Sequence, residues 1–130
     1  MNDLPYLGEP KSDGLLEPLT NYARRYRSNW SDEDTQRQLS YLLLHGVDWG
    51  QTKTIARNPD KWNETNPILG KHPSAGDVDK YFALTGLGHV GLSLLISDPK
   101  WRKLFQNLTI GLEAGVTGRN KFHLGIGTDF

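Results

Sequence analysis

Four ionisable side chains sit where this polar sequence turns apolar, and their types are those of acid–base or metal chemistry. His45 and Asp48 lie three residues apart in a leucine-rich segment and share a face if that segment is helical. His89 lies midway along YFALTGLGHVGLSLLIS, residues 81 to 97, and Glu113 midway along the last segment of helical periodicity. Facing helices of a bundle can bring imidazole and carboxylate together, as metal-binding bundles do. The chain contains neither a Glu-x-x-His pair nor a His-Glu-x-x-His run. The first expectation is therefore buried polar pairing, because an ionisable group among apolar helices is costly without a partner. A small metal-dependent hydrolase using His45, Asp48, His89 and Glu113 is an alternative. The leading expectation is non-enzymatic, with no catalytic residue, metal or cofactor.

A second polar set, Asp48, Gln51, Thr52, Asn66, Asn107 and Asn120, suits caps and interhelical hydrogen bonds, with a ligand pocket as the alternative. Gly86-x-Gly88-x-x-Gly91 follows no strand pattern, which excludes the dinucleotide fingerprint. Trp49, Trp62 and Trp101 fall near helix bends or ends, where either interfacial anchoring or core packing would use them.

These residues need helices to position them. The segment 81 to 97 holds no Asp, Glu, Lys or Arg, and Gly86, Gly88 and Gly91 stand where a soluble core helix would carry Ala or Leu. Such glycines suit close packing against another helix or lipid. Its seventeen residues would span roughly 25 Å, slightly short of a roughly 30 Å hydrocarbon layer. Around it the chain divides into an irregular arm over 1–12, two helices within 13–58, a Pro- and Asn-rich connector over 59–74, a helical hairpin over 75–120 and a strand-like tail over 121–130. Leu15 to Tyr26 has helical spacing, with Arg24, Arg25 and Arg27 on its far face. Ser31 before Asp32, Glu33 and Asp34 marks a helix start, and Pro59 marks its end by Asn58. Ser74 with Asp77 starts the next helix, and Asp98-Pro99 starts the last. Leu39, Leu42, Leu43, Val47 and Ile55 are the expected buried stripe of the first long helix; Leu104, Phe105, Leu108, Leu112 and Val116 are that of the last. Gly111 and Gly115 form a close-packing pair. In the tail, Phe122, Leu124, Ile126, Thr128 and Phe130 alternate with the other residues, which predicts a strand that pairs with another copy, a partner or the N-terminal arm.

Composition sets the remaining bounds. The 130 residues fit one domain, and 36% hydrophobic content with 14 glycines predicts a thin core or one completed by other copies. Fifteen basic and fifteen acidic side chains cancel, which argues against specific nucleic-acid binding through a bulk positive field. There is no cysteine for a disulfide, thiolate nucleophile or Cys zinc site. The first residues, MNDLPYLGEPKSDG, lack the basic and apolar regions of a secretory signal, so export by that route is not expected.

At DWGQT (Asp48 to Thr52), NPILGKHPS (Asn66 to Ser74), VDKYF (Val78 to Phe82) and WRKLFQNLTIGLEAG (Trp101 to Gly115), the chain resembles a group of small helical proteins encoded by tailed bacteriophages and proteobacterial genomes. The resemblance covers roughly residues 41 to 126 and implies no established activity. Members of that group often begin with an export signal, which implies an envelope location and is the point where this chain departs. In character the chain also resembles the small ejection proteins of short-tailed phages. That likeness implies an oligomeric virion protein that partners other phage structural proteins and forms a channel in the host envelope. A soluble accessory protein in the host cytoplasm, binding a host or phage protein, is the second expectation. The expected fold is mostly α, a bundle of about four helices with a central helical hairpin and a short C-terminal β-like strand.

Overall fold

The computed structural model describes residues 29–128 and 130, together with Gly14, Glu17, Pro18, Thr20 and Asn21. The expected arm and most of the helix from Leu15 to Tyr26, with Arg24, Arg25 and Arg27, lie outside the described residues. Among the described residues three long α-helices make the bundle: α1 (Asp32–Arg57), α2 (Ala75–Leu95) and α3 (Pro99–Phe122).

Local chemistry fixes each start. Ser31 and Ser74 both close full capping boxes, accepting from the backbone N–H of Asp34 and Asp77 while those carboxylates accept from the serine N–H. Asp98 accepts from the N–H groups of Lys100 and Trp101, with Pro99 at the first helical position. Burial alone would push the Asp34 carboxyl up, disfavouring its charged form. The Ser31 N–H, the Arg37 guanidinium, the Ser31 hydroxyl and Arg102 more than offset it and hold the carboxyl below its usual range.

The helices α1 and α3 run parallel, joined by Arg37–Gln106 at 3.0 Å, His45–Glu113 at 2.8 Å and Gln51 to the Thr117 carbonyl at 3.3 Å. The helix α2 runs opposite, so that Gln38 meets His89 and Trp49 meets Asp79. Since α1 packs on both neighbours and α2 touches α3 only sparingly, α1 is the spine of the bundle.

The expected buried stripes are reversed, with the exception of Ile55. Leu43 is 73% exposed, Leu87 72% and Leu112 70%, and Leu39, Leu42, Val47, Leu104, Leu108 and Val116 are exposed with them. Phe105 is half-buried. Inside lie Asp34, Gln38, His45, Gln51, Thr52, His89, Ser93, Arg102, Gln106, Thr117 and Asn120, beside only Tyr41, Ile55, Val78, Phe82 and Ile126 of the larger apolar residues among those described. Helical spacing shows that one face is apolar without showing which way it points. Here the polar face points inward, and Arg37–Gln106, Gln38–His89 and His45–Glu113 join its members across the helices.

No strand occurs among the described residues, where the sequence predicts a tail strand with Phe122, Leu124, Ile126 and Phe130 as its pairing face. The helix α3 runs on through Phe122, which is 86% exposed. The chain then reverses at Gly125, whose φ of +64° favours glycine, and the Ile126 N–H returns to the Asn120 carbonyl at 2.9 Å. That cap buries Ile126 and lays the tail back on α1, where Thr54 donates to the Gly127 carbonyl at 3.0 Å. The alternation marks an extended segment held by packing and single hydrogen bonds rather than a ladder.

The five glycines expected at close contacts also divide. A Cβ on Gly86 would lie 3.3 Å from His45 Cδ2, whereas at Gly88, Gly91, Gly111 and Gly115 it would meet nothing within 4 Å. Leucine at position 86 must displace the His45 ring, so Gly86→Leu is expected to lower stability by about 1 to 3 kcal/mol. Gly88→Leu should be neutral or slightly stabilising, since leucine is the better helix former and the site is open. Thermal unfolding followed by circular dichroism checks the contrast.

Candidate functional site

The four candidate residues do not form one cluster. His45 Nε2 donates to the Phe82 carbonyl at 3.0 Å, leaving Nδ1 facing Glu113 Oε1 at 2.8 Å and the Tyr41 hydroxyl at 3.3 Å. One proton is thus shared between Nδ1 and the Glu113 carboxyl, and the pair is neutral as a unit. Gly86 permits this by letting α2 approach the ring edge.

His89 makes a separate set of contacts one turn and more away. Gln38 Nε2 donates to its Nδ1 at 3.1 Å, and its Nε2 donates to Thr109 Oγ1 at 2.8 Å. Both ring nitrogens are therefore filled with the imidazole neutral. Tyr41 stacks on His89 with centroids 3.5 Å apart and on His45 at 5.1 Å, which places an aromatic plate between the two histidines. Asp48 stands apart from both, with Asn120 Nδ2 at 3.5 Å.

What the structure does assemble is a cavity of about 550 Å³ at the end of the bundle where α1 and α3 finish and α2 begins. From α1 come Asp48, Thr52 and Ile55; from α2, Tyr81 and Phe82. The helix α3 contributes Leu112, Glu113, Val116, Arg119 and Asn120. The connector supplies the outer wall through Asn63, Glu64, Thr65, Asn66, Pro67 and Leu69. Four members of the second polar set, Asp48, Thr52, Asn66 and Asn120, thus meet around one space. Gln51 instead bonds the Thr117 carbonyl, and Asn107 is exposed on α3.

The connector holds its place through its own turn chemistry. Asn66 Oδ1 accepts from the Ile68 N–H at 3.0 Å, its carbonyl accepts from Leu69 and Gly70, and Gly70 turns the chain at φ +75°. Glu64 caps this turn from within, with Oε1 accepting from the N–H groups of Thr65 at 2.8 Å and Asn66 at 2.7 Å. Its Oε2 is buried and has no partner. Glu64 was not among the expected site residues; its position two residues before Asn66-Pro67, where its carboxylate can collect turn N–H groups, is the signal that marks it.

Below the cavity, Trp49 donates to Asp79 Oδ1 at 2.8 Å and Lys53 lies 3.1 Å from the same oxygen. The indole N–H, and after it the ammonium, hold the Asp79 carboxyl below its usual value. No group of three or more His, Cys, Asp or Glu among the described residues could hold a metal ion.

Comparison with family models, curated proteins and solved structures finds no match to the chain. The chemistry of the cavity therefore has to follow from its own geometry.

Removing one member of the buried His45–Glu113 pair leaves the other without its partner, so His45→Phe and Glu113→Leu are each expected to cost about 3 to 5 kcal/mol. The double variant should cost no more than either single one, giving a coupling energy of about 3 kcal/mol or more in a double-mutant cycle from thermal unfolding.

Proposed function

We propose that the protein is a non-enzymatic, oligomeric structural component that engages the bacterial envelope through its outer surface. The observation that carries this reading is the distribution of charge along the bundle. Between Arg37 and Lys53, α1 has only Asp48 among Asp, Glu, Lys and Arg; between Lys103 and Arg119, α3 has only Glu113; between Lys80 and Asp98 there is none. Asp48 and Glu113 face the interior cavity. The outer surface therefore carries a charge-free band about 24 Å high, sixteen residue steps along α1 or α3 at about 1.5 Å each.

Both rims of the band are charged and aromatic. Arg37, Asp98, Lys100 and Lys103 with Trp30 and Trp101 mark one rim; Lys53, Asp79, Lys80 and Arg119 with Trp49 and Tyr81 mark the other. Aromatic side chains at the level of the headgroups and charges beyond them are the usual profile of a surface in contact with lipid. A largely apolar surface of this extent, interrupted by the exposed Ser40 and Asn107, is rare on a monomer in water.

No helix among the described residues is long and apolar enough to cross a membrane. Each helix carries His, Gln, Asp, Glu or Asn along its inner face, which lowers its mean hydropathy, so membrane affinity belongs to the packed band and to no single helix. Gly88, Gly91, Gly111 and Gly115 lie open on the helix surfaces, where copies could approach closely. The resemblance to phage-encoded helical proteins supports a finer reading, in which the assembly travels in a virion with other phage structural proteins and forms an ejection channel in the host envelope.

Flotation with vesicles of bacterial lipid tests the proposal. The protein is expected to float, while Leu87→Asp and Leu108→Asp should each cost about 3 kcal/mol of membrane affinity without unfolding the bundle, because both positions are exposed. Protein that stays at the bottom of the gradient, or aspartate variants that float equally well, would contradict it.

A further inference from the structure

We infer that His89 is an acid-sensitive latch, which holds the second half of α2 against α3 while its imidazole is neutral and releases it when the ring gains a proton. The inference concerns the bundle in water and does not depend on the envelope reading above. The helix α2 touches α3 only sparingly. Among the described residues, the hydrogen bond and the ring contact that join these two helices both belong to His89, the first to Thr109 Oγ1 at 2.8 Å and the second to the Phe105 ring with centroids 4.7 Å apart. The other helix-to-helix hydrogen bonds of α2 go to α1, through Asp79, Phe82, Thr85 and Nδ1 of His89 itself. Asp79, Phe82 and Thr85 all precede His89 in the chain, so the polar contacts of residues 88–95 with the bundle are those of one imidazole.

The partners of the ring suit its neutral form. Thr109 Oγ1 donates to the Phe105 or Gln106 carbonyl, so it accepts from the Nε2 N–H. Nδ1 then carries the lone pair, and Gln38 Nε2 donates to it at 3.1 Å. A proton added at Nδ1 sets N–H against N–H. Turning the Gln38 amide would offer Oε1, which is buried without a partner, but only by leaving Nε2 without one instead.

No carboxylate is among the contacts of this ring. From α1 it meets Gln38 and Tyr41, with His45 as the ionisable neighbour that acts on it; from α3 it meets Phe105 and Thr109. Glu113, one turn beyond Thr109, is engaged by His45 at 2.8 Å, and Asp34, one turn before Gln38, by Arg37 and Arg102. The helix α2 has no Asp, Glu, Lys or Arg between Lys80 and Asp98. The ring is buried, and the faces of Tyr41 and Phe105 offset only part of the cost of a cation there. Burial, and after it His45, pushes His89 down to about 4.

Released from the seam, the ring regains its ordinary value of 6.5. The value in the closed bundle is the lower of the two, so the latch is fully formed above about pH 6.5 and is lost as the pH falls toward about 4. Between pH 8 and pH 5 that difference raises the open-to-closed ratio roughly thirtyfold. Gly88 and Gly91 are poor helix formers, so the released half of α2 also frays more readily than the half that stays on α1.

Amide hydrogen exchange on the full chain in lipid-free buffer, corrected for the intrinsic rate at each pH, tests the latch. Protection over residues 88–95 is expected to fall about tenfold or more from pH 8 to pH 5, with a smaller fall across α1. His89→Gln keeps a donor for Thr109 and an acceptor for Gln38 and cannot gain a charge, so its protection over 88–95 should stay level. Thr109→Val keeps the ring and removes its bond to α3; it should lower protection over 88–95 at pH 8 and move the titration of His89, read by NMR, toward 6.5 from its lower position in the unsubstituted chain. Constant protection in the unsubstituted chain, an equal fall in His89→Gln, a fall of the same size across α1, or a His89 ring that titrates at its ordinary value would each overturn the inference. Since no lipid is present, these results are separate from flotation.

Discussion

The bundle depends on its buried polar groups finding one another. A carboxylate or imidazole taken out of water without a partner costs more than the few kcal/mol by which a domain of this size is stable. The interior is therefore organised as paired contacts along the axis, from Asp34 with Arg37 and Arg102, through Gln38 with His89, to His45 with Glu113. Arg102, fully buried, also reaches the Asn29 carbonyl at 2.6 Å and lies over the Trp30 ring. The pairings that cross between helices, Asp34 with Arg102, Gln38 with His89 and His45 with Glu113, fix the rotation of one helix against its neighbour, which a purely apolar interface would define less sharply.

The apolar exterior follows from that interior. Once the polar stripe of each helix is turned inward, leucines and glycines must occupy the outside, and they do so on all three helices within limits set by charged residues. The cavity opens beyond His45 and Glu113, beside Asp48, Thr52 and Asn120. There the connector folds over the opening with Glu64 and Asn66 in its wall. Polar interior, apolar band and rim cavity are thus consequences of a single orientation of the helices.

Helix starts were legible because capping is local: Ser31, Ser74 and Asp98-Pro99 each announce a geometry that depends on three or four neighbouring residues. The direction of the faces was less legible, since an apolar stripe at three- and four-residue spacing looks the same whether it faces a core or lipid. The deciding signal was the complementary stripe. Gln38, Tyr41, His45 and Thr52 on α1, and Arg102, Gln106, Glu113, Thr117 and Asn120 on α3, recur at helical spacing, and polar residues too varied for a solvated face are better suited to specific partners. The tail misled because alternation of side chains reports an extended backbone and carries no information on whether a ladder partner exists. Of the four ionisable candidates, His45 with Glu113 and the neutral environment of His89 follow from three-dimensional register, which the sequence leaves open.

The most direct measurement of the central claim exploits the absence of cysteine. Single cysteines at Leu43, Leu87 and Leu108 on the band, and at Asp60 and Lys100 beyond its rims, can each carry a polarity-sensitive fluorophore in the protein mixed with bacterial lipid vesicles. The account predicts apolar surroundings at the three band positions and water at the two rim positions. Water at all five, with vesicles in excess, would contradict it.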